Sequence, residues 1–174
     1  VIENLWFLSG SKNIRALQRH GCKFWNAWAD KDGYVPSAYG NFWRSFEHVE
    51  DDVGQHGRCY AAGRTDQVSW VLNELKKNPM SRRLIVSAWQ PSNALYSKLP
   101  PCHAFWVLNV QNTQTRPRDL AEEIDREILS ELLKASGGIY EPPTVQRLCL
   151  HLTQRSCDMA LGVPYNIAGY AFIL

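Results

Sequence analysis

Apolar positions 1, 2, 5, 6 and 8 fall along one side of a helix, and Ser9-Gly10 closes it, so the chain is expected to open on a short helix. Ser11 is the expected cap of a second helix, with Ile14 and Leu17 facing inward and Gly21 as its stop. Residues 24–46 form a loop-rich aromatic stretch that holds Trp25, Trp28, Tyr39 and Trp43. Residues 47–63 are polar and irregular and read as a loop. The clearest helical pattern follows, with Val68, Val71, Leu72 and Leu75 spaced i, i+3, i+4, i+7, Thr65 as cap and Asn78-Pro79 as the end.

Residues 84–89 (LIVSAW) read as a short strand closed by Pro91. Two further strands are expected over 105–110 and 147–153. Residues 111–146 lie between them and carry Leu120, Ile124, Ile128 and Leu132 at every fourth position, with charged groups on the other face. This segment reads as a helical insertion at the tip of a hairpin, within a single domain spanning 1–174. Helices and strands mix without a βαβ rhythm, which favours an α+β fold.

Composition adds limits. With 174 residues, 45% hydrophobic and 21% charged, the chain suits one folded domain rather than a disordered tail. A net charge of +2 is too small to argue for nucleic acid or an acidic membrane surface. No apolar run approaches the roughly 20 residues of a membrane span, and residues 1–4 do not open a signal peptide. Five cysteines without CxxC spacing argue against a disulfide framework and a zinc site, so a cytoplasmic location and no metal are expected. Seven tryptophans predict a large aromatic core or a pocket for flat rings. The ends, Val1 and the apolar run 170–174, read as cuts in a longer protein.

Two clusters can carry chemistry. In residues 99–103 (LPPCH), two prolines fix the backbone ahead of Cys102, and His103 follows at the mouth of a strand. A cysteine held there can act as a nucleophile, or it can be a small buried hydrophobe. In residues 154–166 (QRSCDMALGVPYN), Arg155 and Ser156 suit a phosphate, and Asn166 offers an amide edge to a pyrimidine. The same segment can also be a strand-to-helix turn with Asn166 as its cap.

Taken in order, residues 81–89 (SRRLIVSAW), 99–105 (LPPCHAF), 154–158 (QRSCD) and 161–168 (LGVPYNIA) resemble the thymidylate synthase family. Upstream, residues 3–10 (ENLWFLSG), 25–29 (WNAWA) and 39–44 (YGNFWR) resemble it too. The resemblance covers nearly the whole chain except about residues 49–64 and 111–146. It implies a thymidylate synthase-like mixed sheet flanked by helices. It also implies reductive methylation of dUMP to dTMP with 5,10-methylenetetrahydrofolate, in a homodimer.

The resemblance assigns the roles as well. Cys102 adds to C6 of uracil, and Arg155 lies near thiol and phosphate, its charge favouring the thiolate. Ser156 also meets the phosphate, and Gln154 gives a supporting polar contact. Arg82 and Arg83 reach the phosphate of the neighbouring subunit, and Asn166 reads N3 and O4. Glu3 relays protons, and His103 and Tyr39 order water near O4 and C5. Trp25 walls the folate, Asp158 pairs with its pterin, and Gly162 lets backbone approach the ligand. Core packing is expected of Trp28 and Trp43. Thr153 and Gly169 depart from the family's usual Tyr and Ser, without removing a reacting group. An N-terminal phosphate-binding Arg and ribose-binding residues of the family would lie outside 1–174. A phage-type hydroxymethylase acting on dUMP, or less readily dCMP, fits the same residues, as does an inactive nucleotide-binding relative.

Overall fold

The computed structural model describes residues 1–54, 57–94, 97–114, 126–135, 137 and 144–174. The chain divides into two compact units, Val1–Asn109 with Leu150–Leu174, and Val110–Cys149. Helix α1 (Ile2–Leu8) buries Trp6 and Phe7 as its apolar spacing requires. Helix α2 (Arg15–Arg19) buries Leu17 and ends on Gly21, whose φ of 75° suits glycine. Ser11 does not cap α2. Its hydroxyl takes the Asn13 N–H, and the Asn13 side chain takes the Arg15 N–H instead.

Helix α3 (Tyr39–Arg44) emerges from the aromatic stretch and packs close on α1. Gly40 permits the approach, because a Cβ there would overlap the Phe7 carbonyl. The expected loop at 47–63 is instead a hairpin of β1 (Phe46–Gly54) and β2 (Gly57–Thr65), antiparallel from Phe46↔Thr65 to Gly54↔Gly57. Its pairing is carried by backbone and by groups such as the Arg64–Glu47 ion pair at 2.7 Å, so hydrophobic alternation is weak.

Helix α4 (Gln67–Lys77) buries Val68 and Val71, while Leu72 is exposed. Its cap is Asp66, not Thr65, which completes β2: the Asp66 carboxylate accepts the Ser69 N–H at 3.0 Å and its hydroxyl at 2.9 Å. A carboxylate beside the helix N-terminus also complements the dipole.

Strand β3 (Ile85–Ser87) is shorter than expected, and Pro91 starts the one-turn helix α5 (Pro91–Ala94). Strands β4 (His103–Gln114) and β5 (Thr144–Gln154) run longer than expected and complete a sheet of order β3-β4-β5. The β3–β4 pairing, Val86↔Trp106 with Ile85↔Val107, turns Val86 and Trp106 inward and leaves Ile85 exposed. Helix α6 (Arg126–Ala135) belongs to the second unit. Of its expected apolar stripe, Leu120 and Ile124 lie outside the described residues, and Ile128 is exposed.

Helix α7 (Gly162–Ile173) starts four residues before Asn166, so Asn166 lies within it rather than capping it. Asp158 supplies the start, its Oδ1 accepting the N–H of Leu161 at 2.6 Å and of Gly162 at 3.2 Å. Pro164 is tolerated because N–H groups of the first turn have no partner inside the helix.

The aromatic residues build the core of the first unit. Trp43 is buried against Phe7, Trp106 and Tyr170, with ring centroids 5.6, 5.8 and 6.2 Å away. Trp25 packs on Trp6 and Phe7 at 5.4 and 5.9 Å. Burial of each such side chain contributes about 1.5–3 kcal/mol. Trp28 departs from its expected core role and is 37% exposed, lining a surface cavity with Tyr34 and Pro36.

Candidate active site

Two prolines deliver Cys102 to the residue before β4, half-buried, with its Sγ 3.9 Å from the Pro100 carbonyl. Arg155, just past β5, grips the same turn. Its Nε donates to the Pro101 carbonyl at 2.9 Å and its Nη2 to that of Pro100 at 2.8 Å. The Arg155 backbone N–H donates to the Cys102 carbonyl at 2.9 Å, so the ends of β4 and β5 are joined there. With those bonds made, Nη2 also lies 3.8 Å from Cys102 Sγ. Trp89 supports the guanidinium from its ring face, 5.5 Å from the centroid. A fixed positive charge beside a thiol at the head of a strand is an arrangement suited to nucleophilic catalysis.

Behind the turn lies a buried aromatic wall. The Tyr39 hydroxyl accepts the backbone N–H of Cys102 at 3.0 Å and of His103 at 3.3 Å. Burial pushes the Tyr39 hydroxyl up to about 12, although those two N–H groups pull the other way. Both oxygen lone pairs are occupied, so the hydroxyl proton is free to donate. The His103 ring stacks on Tyr39 at 4.5 Å with 10° between planes. Burial lowers His103 to about 4, opposed by the Asn166 side chain beside it, so the imidazole is neutral at pH 7. Its Nδ1 lies 3.0 Å from the Tyr170 hydroxyl, whose ionisation burial pushes well above the ordinary phenol range.

Glu3 enters from the first turn of α1 and accepts the Trp25 Nε1–H at 2.5 Å. Its charge also reaches Tyr39 and raises that hydroxyl further. Thus Cys102, His103, Tyr39, Arg155, Asn166, Glu3 and Trp25 form one connected set. Asp158 is exposed, and the Leu161 and Gly162 N–H groups hold its carboxyl below the usual carboxylate range. Gln154 and Asn166 border a cavity of about 300 Å³ between β5 and α7. The Gln154 Nε2 is buried there without a hydrogen-bond partner among the described residues, a donor available to a ligand.

Ser156 is exposed beside Arg155. Arg82 and Arg83 are exposed in the turn before β3 and make no ion pair among the described residues. Neither hydrogen-bonds the Cys102 set.

Four contributors went unmarked in the sequence. Tyr170 lies in an apolar run, and only its i, i+4 spacing from Asn166 marks it. Trp89 reads as the end of a strand, and its place under Arg155 leaves no local signal. Phe24 and Tyr165 form an exposed ring pair, centroids 5.9 Å apart, one residue from Trp25 and Asn166 respectively. Among the described residues no three His, Cys, Asp or Glu side chains group as a metal site would need.

Comparison with known proteins bears on this arrangement. The family model for thymidylate synthase matches residues 1–174. A curated relative, the thymidylate synthase of Haloferax volcanii, is 38% identical over 180 residues. That match takes in 99% of this chain and 43% of the relative, so the chain spans less than half of the relative's length.

Proposed function

We propose that this chain, which belongs to the thymidylate synthase family, carries the nucleophile and the pyrimidine-reading residues of an enzyme that methylates dUMP to dTMP. The observation that carries the reading is the position of Arg155, fixed on two carbonyls and 3.8 Å from Cys102 Sγ. Uracil is a poor carbon nucleophile. Addition of the Cys102 thiolate to C6 places an electron pair on C5 and O4, and C5 can then attack a one-carbon electrophile. The co-substrate 5,10-methylenetetrahydrofolate supplies that carbon and the hydride that reduces it to methyl. Loss of the C5 proton lets the folate nitrogen leave the new carbon, the hydride then makes that carbon a methyl, and expulsion of Cys102 restores the ring, with dihydrofolate as the second product.

The residues divide this work. Tyr39 offers a hydroxyl donor whose oxygen is already held by two backbone N–H groups. The free Tyr39 hydroxyl proton orders water near O4 and C5, neutral His103 stacks on that ring and acts on Asn166, and Asn166 reads N3 and O4. Glu3, steadied by Trp25, relays protons, and Trp25 walls the folate. The anionic Asp158 suits the N–H groups of a pterin, and the exposed Phe24 and Tyr165 rings suit its flat surfaces. Gly162 lets the backbone approach the same ligand, and Gln154 adds its Nε2 donor, which has no partner among the described residues. Arg155 and Ser156 bind the phosphate. Arg82 and Arg83, exposed and without an ion pair among the described residues, reach the phosphate of a second copy in a homodimer.

We read the segment that joins β4 to β5 as a helical insertion within the family domain, shorter than 111–146 because β4 runs to Gln114 and β5 starts at Thr144; α6 (Arg126–Ala135) supports that reading. A cytoplasmic location agrees with four free cysteines among the described residues. No helix among the described residues is long and apolar enough to cross a membrane.

An absorbance assay on the full-length protein tests the reaction. The expected result is dihydrofolate appearing in step with dUMP consumption. Consumption of dUMP without dihydrofolate would replace methylation by hydroxymethylation.

A further inference from the structure

Tyr170 is a buried group that the reaction above does not use. Its hydroxyl lies 3.0 Å from His103 Nδ1, and the two rings meet edge to face at 5.4 Å. Among the described residues, Nδ1 is the hydroxyl's one hydrogen-bond partner. A buried phenolic O–H left without an acceptor costs free energy, so the proton points at Nδ1. Nδ1 is then bare, and the imidazole proton sits on Nε2. The other polar side chain acting on this imidazole is Asn166, one helical turn before Tyr170 on the same face of α7.

We propose that Tyr170 is a positioning residue for pyrimidine choice: by fixing the tautomer of His103 it aims Nε2–H at Asn166 Oδ1, turning the amide to read uracil rather than cytosine. With Oδ1 held there, Nδ2 donates to O4, and the second lone pair of Oδ1 accepts N3–H. Cytosine presents the reverse order, an acceptor at N3 and a donor at N4, and needs the amide flipped. The flipped amide would set its N–H₂ against Nε2–H, donor against donor. The inference rests on the proposed role of Asn166 in reading the base.

Two measurements on the full-length protein test it. Nitrogen-15 NMR of histidine-labelled protein, without nucleotide, is expected to show His103 bare at Nδ1 and protonated at Nε2. In Tyr170→Phe the two tautomers mix. Calorimetry with dUMP and dCMP is expected to show their affinity ratio falling about tenfold in Tyr170→Phe, as for a misdirected hydrogen bond. A wild-type His103 protonated at Nδ1 would overturn the inference. So would an unchanged ratio in a variant whose tautomers have mixed. If the wild-type protein binds neither nucleotide, the underlying reading of the site fails, and the NMR result, which needs no nucleotide, separates that failure from an error in the hydrogen bond. Should Tyr170→Phe not fold, the wild-type spectrum still decides.

Discussion

Tyr39, His103 and Tyr170 form a wall held behind rings and the head of β4, whereas Arg155, Ser156 and Asp158 stand on the exposed side of the same site. In the wall, burial dominates: His103 is held neutral and both tyrosines are held protonated. These protonation states exist before any ligand arrives. On the rim, charge is put to use on backbone instead. Arg155 closes the Pro100-Pro101 turn, and Asp158 starts α7. The wall therefore fixes chemistry, and the rim fixes shape while keeping charge available to a ligand.

The comparison breaks hardest where wall and rim meet. Cys102→Ser keeps the size of the side chain and is expected to lower turnover by about 10⁴-fold or more, with the fold unchanged by circular dichroism. Next in size is a property of the wall alone. His103 is lowered from 6.5 to about 4 on folding, so the unfolded chain binds the extra proton between those values. Its contribution is complete above pH 6.5 and lost as pH falls toward 4, a change of about 3 kcal/mol. Urea unfolding across this range checks it, and His103→Gln should flatten that part of the profile.

Arg155→Lys tests whether rim charge works through shape. Lysine keeps the charge but cannot bridge two carbonyls and a thiol, so kcat/KM should fall about 100-fold. Arg82→Ala is the matched case of a rim charge without hydrogen bonds to the site in its own chain. It should raise the KM for dUMP by less than about tenfold and leave kcat and stability unchanged.

The sequence made the wall and rim unequally legible. Cys102, His103 and Arg155 stand in short motifs, Pro100 and Pro101 fix the backbone ahead of Cys102, and the family resemblance implied the place of Arg155 beside the thiol, where the structure has it 3.8 Å away. Helices α1 and α4 were visible in their apolar periods. The β1–β2 hairpin was not, because its sequence over 47–63 is polar and irregular and its pairing runs through the backbone, with the Arg64–Glu47 ion pair at one end. Caps also differed: Asp66 replaces Thr65 at α4, and α2 starts from Ile14, with the Asn13 side chain rather than Ser11 taking the Arg15 N–H, since several polar side chains compete for the same N–H groups. Trp28 was misplaced because a tryptophan in an aromatic run gives no sign of which ring faces water. Tyr170 was hidden for the opposite reason: its hydroxyl matters only through His103, 67 positions away.

The claim that Cys102 is the nucleophile is tested most directly by mass spectrometry of the full-length protein incubated with 5-fluoro-dUMP and 5,10-methylenetetrahydrofolate. The account predicts one ternary adduct per chain, on the peptide that contains Cys102. An adduct on the more exposed Cys157, or none at all with both ligands bound, would contradict it.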